Sequence, residues 1–192
     1  MNTIVIIQSF EEKYADAVAG LILPIQQIEF GVPVTLADQP DLQEITTYYF
    51  TGNGHFWVAL VDGKVVGTIG LLDYGSGGFA LRKMFVAKAF RGPGLGIAQK
   101  LLNTAIAWVK DHGGHEIYLG TVAILKAAIR FYQRNGFEQV DADSLPVDFP
   151  RMAVDTEFFR YYIKKPPMIK INKLQHVRSE EHTSELQSHH PI

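Results

Sequence analysis

The chain has 192 residues, 47% of them hydrophobic, and a formal net charge of −2, which suits one compact domain whose core is large enough to fold without staples. It contains no cysteine, so disulfides, thiolate metal sites and cysteine nucleophiles are excluded. Because the N-terminus lacks the basic start and long apolar core of a signal peptide, and no uncharged stretch is long enough to span a membrane, we expect a cytoplasmic protein with no membrane partner.

Hydrophobic periodicity and turn residues predict an alternation of strands and helices. In chain order these are a strand at 3–8, a helix at 10–28 that Pro24 kinks or ends, a short helix capped by Asp41 and running to Tyr49, strands at 55–61 and 64–72 around an Asp62-Gly63 hairpin turn, a strand at 79–86, a helix at 94–110, a strand at 116–122, a helix at 125–134 stopped by Gly136, and strands at 137–140 and 157–163. This order predicts a mixed α/β (α+β) fold, with an antiparallel meander, then a strand-helix-strand crossover, in one sheet flanked by helices.

The last residues of the chain, 178–192, are set apart from this pattern. Translated back into codons, the run from Arg178 to Ser188 resembles a sequencing-library adapter read in frame, so we treat 178–192 as an artefactual tail and exclude it from the fold. The tail carries a net charge of −2 and three of the seven histidines, so these histidines predict no metal site. The remaining residues are formally neutral and carry no basic cluster, which gives no support to nucleic-acid binding. We expect the domain to occupy 1–165, with 166–177 an extension of unassigned structure.

A glycine-rich turn separates the strand at 79–86 from the next helix. It reads Arg91-Gly92-Pro93-Gly94-Leu95-Gly96, and its glycines remove side chains at a helix N-terminus, where the main chain can approach a phosphate closely. The spacing fails the dinucleotide fingerprint, whose last glycine is replaced by Ile97 or Gln99, and it lacks the Gly-Lys-Ser/Thr of a Walker A loop. The loop alone is therefore either an anion site or a turn that caps an ordinary helix.

Two motifs in order give the chain a specific resemblance. Arg91, Gly94 and Gly96 fill the fixed places of Arg/Gln-x-x-Gly-x-Gly/Ala, and the loop resembles the acetyl-CoA signature of the GNAT superfamily of N-acetyltransferases. A second family element follows at Ala128-Ile129-Arg130-Phe131-Tyr132, with Gly136-Phe137 just beyond it. The resemblance covers about 3–163. It implies a GNAT-like acyl-CoA N-acyltransferase fold with a mostly antiparallel sheet, and an enzyme that transfers an acetyl group from acetyl-CoA to a primary amine, of a small molecule rather than a protein, by direct attack on the thioester.

The resemblance also assigns the coenzyme to one strand and one loop. Main-chain amides of the loop would face the coenzyme A pyrophosphate, aided by the helix dipole, and Pro93 occupies a place where a missing amide is tolerated. In the family the preceding strand splays from its neighbour, so its main chain would hold the pantetheine arm and polarise the thioester carbonyl. The implied cofactor-binding residues are Met84, Phe85, Val86, Arg91, Gly92, Pro93, Gly94, Leu95 and Gly96, and no metal is expected.

Of the catalytic groups, the acid is better defined than the base. Tyr132 matches the family tyrosine near the coenzyme sulfur, which implies a general acid for the leaving thiolate, although a tyrosine that packs a helix face is the alternative. Many relatives place a glutamate base where this chain has Ala80, and an asparagine where it has Leu125. The remaining candidate bases are Glu29, Asp73, His115 and Glu116.

The acceptor pocket is expected to be built by 26–50, the hairpin and the last strand. Candidate lining residues are Glu29, Tyr48, Tyr49, His55, Trp57, Asp73 and Tyr74, although the aromatic ones also suit the core. Two alternative functions stay open: a non-catalytic acyl-CoA-binding or sensing domain, favoured by Ala80, and a nucleotide-binding domain that uses the same loop. The resemblance also allows a homodimer, because many relatives pair through their final strands.

Overall fold

One seven-stranded sheet organises the part of the chain that the computed structural model describes, residues 1–164. Its strand order is β1-β2-β3-β4-β5-β7-β6. The strands are β1 (Val5–Ser9), β2 (His55–Val61), β3 (Lys64–Gly75), β4 (Gly78–Val86), β5 (Glu116–Thr121), β6 (Glu138–Val140) and β7 (Glu157–Tyr162). The helices are α1 (Ala15–Pro24), α2 (Pro40–Gln43), α3 (Ile45–Tyr49), α4 (Ile97–Asp111) and α5 (Lys126–Arg134). The expected extension and tail lie outside the described residues.

Strand pairing confirms the predicted mixed, mostly antiparallel sheet flanked by helices. Every neighbouring pair is antiparallel except β4 and β5, which are parallel and joined by the α4 crossover. The β4–β5 ladder extends only from Gly78 and Glu116 to Ala80 and Tyr118. Beyond Ala80 the two strands no longer pair, and this short ladder is what creates the site described below.

Both faces of the sheet are covered, so β2 is apolar on both of its faces after His55 rather than alternating. On β2, Trp57 and Ala59 pack into the core cluster that contains α4, whereas Phe56 and Val58 pack into the cluster of α1, α2 and α3. Such burial on two faces is typical of strands between helical layers. Among residues 1–164, no helix has the length and apolar character that a bilayer crossing requires.

Local structure corrects several of the predicted helix bounds. Helix α1 begins at Ala15 rather than at residue 10, and the single helix predicted to run from Asp41 to Tyr49 is two short helices, α2 and α3. Helix α4 begins at Ile97 rather than at Gly94, because Gly96 is its N-cap in the left-handed conformation, with φ of 60°, which glycine adopts without strain. Asp41 does not cap the second helix. It lies inside α2, where Pro40 takes the first helical position, and it is buried because its carboxylate meets a cation from the sheet. As predicted, α1 ends at Pro24, and a π-helical turn, Ile25–Glu29, follows it.

Candidate active site

A cavity of about 130 Å³ lies where β4 and β5 stop pairing. Its walls are 81–85 of β4, 119–122 at the end of β5, and three residues at the start and on the inner face of α5. Two loops complete it: the segment after α1, through Gln26, Phe30, Val32 and Val34, and the segment before β7, through Phe149, Met152, Val154 and Asp155. The splayed strands expected from the GNAT resemblance are therefore present, with Met84 and Phe85 in the wall.

Strand β4 is irregular at the cavity. Gly70 of β3 faces Arg82, but Thr68 faces Phe85, so two residues of β4, Lys83 and Met84, oppose a single residue of β3. This is a β-bulge, which turns a strand and re-aims its main chain. Lys83 has φ of 52°, a conformation that costs a non-glycine residue about 1–3 kcal/mol, and the Thr68 hydroxyl donates to its carbonyl at 2.6 Å. The strained residue is therefore part of the cavity wall.

A buried polar network anchors this bulge to the helices. The side chain of Lys83 is only 3% exposed; its ammonium lies 3.4 Å from the Asp41 carboxylate and donates to Gln39 Oε1 at 2.6 Å. The Tyr49 hydroxyl donates to the same carboxylate at 2.6 Å. Burial lowers the pKa of Lys83, and Asp41 opposes that shift. Gln39 also exchanges hydrogen bonds of 2.9 and 3.0 Å with Gln26, so the network reaches the cavity wall.

Tyr132 both packs in the core and lines the cavity. Its ring packs 5.6 Å from Phe137 and 5.9 Å from Phe131, in the main core cluster, and the residue is 6% exposed. It also lines the cavity. Burial raises the pKa of Tyr132 further above its ordinary value, so the side chain is a neutral phenol at physiological pH. It can donate a proton there but carries no charge of its own.

The glycine loop leaves its main chain free. Gly92 and Gly96 have φ of 104° and 60°, and a Cβ added to Gly94 would meet no heavy atom within 4 Å. In the described part of the chain, the amides of Gly92, Gly94 and Gly96 donate no hydrogen bond to the main chain or to a side chain. These donors at the N-terminus of α4 are free to bind an anion. The loop follows β4 after a short 3₁₀ turn, Lys88–Phe90, and its residues are not among those that line the cavity.

Arg91 ties this loop to the segment that follows α1. Its Nε donates to the Val86 carbonyl at 2.8 Å, and its guanidinium grips both carboxylate oxygens of Glu29, with Nη2 2.8 Å from Oε2. Hydrogen bonding from Arg91 lowers the pKa of Glu29. Glu29 therefore holds Arg91 in place, and its lowered pKa makes it a weak base. Its side chain does not line the cavity.

The other three candidate bases lie at the far end of the sheet. Asp73 accepts hydrogen bonds of 2.9 Å from the amides of Asn53 and Gly75, which shape turns. Glu116 accepts from the Tyr74 hydroxyl at 3.3 Å, and His115 lies 3.9 Å from Glu116. Glu116 faces Gly78, at the closed end of the β4–β5 ladder. None of these side chains lines the cavity.

The aromatic acceptor candidates are also elsewhere. His55 stacks on Trp108 at 4.3 Å and contacts Trp57, Tyr49 is buried beneath the sheet, and Tyr48 is exposed. Of the segment 26–50, only residues in its first third line the cavity. The spacing of aromatic residues on a buried strand is the same whether their side chains pack in the core or line a pocket, so the sequence could not distinguish the two.

Two departures from the family pattern have clear structural settings. Ala80 is fully buried in an apolar cluster with Tyr118, Phe149 and Phe158. Leu125 is the N-cap residue of α5 and lines the cavity. A side chain with no hydrogen-bonding group thus occupies the helix start, so any ligand there contacts an apolar wall.

Asp155 is a charged residue of the cavity that the sequence motifs did not indicate. Asp155, in the loop before β7, lines the cavity, and burial raises its pKa although Arg82 and Lys83 oppose that shift. A Cβ on Gly120 of β5 would overlap the Asp155 carboxylate. The available signal was Gly120 itself, because a glycine inside a buried strand often marks the close approach of another group.

Comparison with known proteins places this geometry in a family. Residues 22–137 match the model of the Acetyltransferase (GNAT) family. The uncharacterized N-acetyltransferase YjgM of Escherichia coli K12 is 38% identical over 132 residues, which cover 65% of this chain and 77% of that protein. The probable N-acetyltransferase camello of Xenopus tropicalis is 32% identical over 66% of this chain and 58% of its own length. The probable N-acetyltransferase family 8 member 5 of Mus musculus is 34% identical over 53% of this chain and 46% of its own length. The chain thus spans about half the length of these last two relatives.

Solved structures agree with the sequence relatives. A GNAT-family acetyltransferase from Staphylococcus aureus Mu50 superimposes with a TM-score of 0.81 at 36% identity, over 84% of this chain and all of that one. An acetyltransferase from Streptococcus agalactiae gives 0.79 at 28% identity, over 83% and 98%. N-acetylglutamate synthase from Neisseria gonorrhoeae, complexed with coenzyme A and N-acetyl-glutamate, gives 0.67 at 14% identity over 86% and 36%, and so shares the fold alone. Taken with the matched family model, these likenesses establish that the chain belongs to the GNAT family of acetyltransferases.

Proposed function

We propose that this chain transfers an acetyl group from acetyl-CoA to the primary amine of a small molecule. The observation that carries the proposal is the cavity that opens where β4 and β5 stop pairing, with Tyr132 in its wall. Unpaired main chain of β4 is suited to bind an amide-rich arm such as pantetheine. The free amides of the loop are suited to the pyrophosphate. Family membership supports the choice of acetyl-CoA as donor.

The cavity also supports a small acceptor. Two loops contribute to its walls, the segment after α1 and the segment before β7, and its volume is about 130 Å³. A concave cavity of this size is suited to a small-molecule group rather than to a folded protein surface.

The residues in the cavity suit direct transfer. The β4 main chain at Met84 would polarise the thioester carbonyl, so that the amine nitrogen attacks its carbon, the C–N bond forms and the C–S bond breaks. Tyr132, a neutral phenol, would give its proton to the departing sulfur. The loops would keep nucleophile and thioester in contact, which contributes much of the rate by itself.

Thiol release tests the proposal. The full chain is mixed with acetyl-CoA and a panel of small amines, amino acids and peptides, and free coenzyme A thiol is measured. We expect release with a small primary amine and slower release with peptides. Acetyl-CoA binding without release for any amine would favour a sensing domain instead. Thermal protection by ATP or NAD but not by acetyl-CoA would favour the nucleotide-binding alternative.

Removing the phenol of Tyr132 should separate catalysis from binding. We expect Tyr132→Phe to lower kcat about 10–100-fold, because a general acid contributes about 100-fold or more, with acetyl-CoA affinity unchanged. Stability should change little, since burial is the one cause of the raised pKa of this phenol and no hydrogen bond contributes to it. Tyr161→Phe is the matched control, because Tyr161 packs on Phe137 and lies outside the cavity. An unchanged kcat in Tyr132→Phe would restrict this tyrosine to packing.

A further inference from the structure

The cavity contains one carboxylate. Among its lining residues, all within the described part of the chain, the charged ones are Arg82, Lys83 and Asp155. Arg82 donates to the Pro150 carbonyl, and Lys83 is engaged by Asp41. Asp155 forms no ion pair within 4 Å in residues 1–164. It is therefore the acidic group of the cavity that is available to a ligand.

The position of this carboxylate depends on a glycine. Gly120 lies on β5 just beyond the last residue that pairs with β4, and any Cβ there would overlap Asp155 Oδ2, Cγ and Cβ. The loop is fixed on the same strand, because the Thr156 amide donates to the Thr121 carbonyl at 2.9 Å. A side chain at position 120 would push the carboxylate out of place. The strand is thus shaped to seat Asp155 against the splayed edge.

We propose that Asp155 is the general base of this enzyme, which binds the acceptor ammonium and takes its proton. This role rests on the acetyl transfer proposed above. An amine reaches the cavity protonated at neutral pH and cannot attack a thioester until it loses a proton. The Asp155 carboxylate meets both needs, as an anionic partner for the ammonium and as an acceptor for its proton.

The protons balance over the whole reaction. Asp155 takes one proton from the ammonium and later releases it to water. The neutral nitrogen then bonds to the carbonyl carbon, the C–S bond breaks, and the Tyr132 phenol protonates the sulfur. The new amide nitrogen gives its remaining extra proton back to the Tyr132 oxygen. The products are the N-acetyl amide, the free thiol and one proton in solution.

The surroundings of Asp155 set the direction of its pH response. Arg82 and Lys83 face it from β4, Arg151 from its own loop, and the neutral Tyr132 lies across the cavity on α5. The three cations lower the pKa of Asp155 and burial raises it, with burial the larger effect. A carboxyl with a raised pKa is a stronger base than an exposed aspartate. Activity should therefore fall as the pH drops through that pKa.

The test compares Asp155→Asn with the wild-type full chain, using the best amine from the thiol-release panel between pH 5 and 9. We expect kcat/KM to fall at least 100-fold, the Asp155-dependent decline at acid pH to disappear, and acetyl-CoA affinity to stay within twofold. Loss of activity with the acid decline retained would assign Asp155 a structural role and overturn the proposal. So would wild-type kcat/KM in the variant.

A second variant guards against misfolding of the first. Gly120→Ala keeps the carboxylate but displaces it, and we expect it to lower kcat/KM at least 10-fold with acetyl-CoA binding retained. Gly20→Ala is the matched control, since a Cβ there meets nothing within 4 Å, and it should be fully active. Wild-type activity in Gly120→Ala would overturn the role of Asp155. If no amine of the panel makes the wild type release thiol, the proposed function itself fails, and this base assignment fails with it.

Discussion

Replacing Gly94 by glutamate is expected to abolish acetyl-CoA binding while the domain remains folded. Gly94 is exposed on the loop and a Cβ there meets no heavy atom within 4 Å, so the free protein tolerates the new side chain. Its carboxylate, however, would lie among the amides proposed to hold the pyrophosphate, and two anions would compete for the same donors. We expect at least a 100-fold loss of affinity, or about 2.7 kcal/mol, by calorimetric titration.

The control for this loss is Gly94→Ala, which adds bulk without charge. It should retain acetyl-CoA binding within about tenfold, and both variants should unfold at close to the wild-type temperature. Wild-type affinity in Gly94→Glu would remove the pyrophosphate from this loop and leave the signature as a helix cap. Equal losses in both variants would assign the effect to loop conformation rather than to charge.

Lys83→Met is expected to produce the largest loss of stability. The substitution keeps the length of the side chain but removes the cation, so the Asp41 carboxylate, 7% exposed, would retain only the Tyr49 hydroxyl. Breaking a buried pair by removing one partner costs about 3–5 kcal/mol. We expect a decrease of about 3 kcal/mol in the free energy of unfolding at pH 7, measured by urea denaturation monitored by circular dichroism.

A double-mutant cycle separates the pair from its surroundings. Asp41→Asn alone leaves the Lys83 ammonium buried without its anion and should also destabilise. In the combination of Lys83→Met and Asp41→Asn no charge remains unpaired, so its loss should be well below the sum of the single losses. Strict additivity would show that the two groups do not interact. A decrease of less than about 0.5 kcal/mol in the free energy of unfolding of Lys83→Met would show that the Lys83 ammonium is solvated rather than buried with Asp41.

The elements of the fold were predictable because local signals agreed with the tertiary structure. The Asp62-Gly63 turn joins β2 to β3 as expected, with φ of 50° and 75° at the two residues, and Pro24 ends its helix. The start of α4 was less accessible, because Gly94 and Gly96 are equally plausible before a helix. Only the left-handed φ of Gly96 shows which of them is the cap.

The cavity was less predictable than the elements, because its charged residues and their partners come from distant parts of the chain. Asp41 and Lys83 are forty-two positions apart, and the helical pattern around Asp41 suggested a cap rather than a buried ion. The glutamate and histidine candidates were chosen for their chemistry alone, and the register of β4 on β5 then placed Glu116 at the closed end. Asp155 lies in an irregular loop with no periodic signal, so only Gly120 pointed to it.

Because the ladder between β4 and β5 is short, we expect the stability of the protein to depend on the concentration of a ligand bound there. Three residue pairs join the two halves of the sheet along this seam, so a ligand that bonds to both strands would act as part of the folded structure. A ligand at 100 times its Kd adds about 2.7 kcal/mol to the free energy of unfolding. With acetyl-CoA as the proposed ligand, resistance to unfolding and proteolysis would rise and fall with the acetyl donor, so the amount of intact protein would follow its availability.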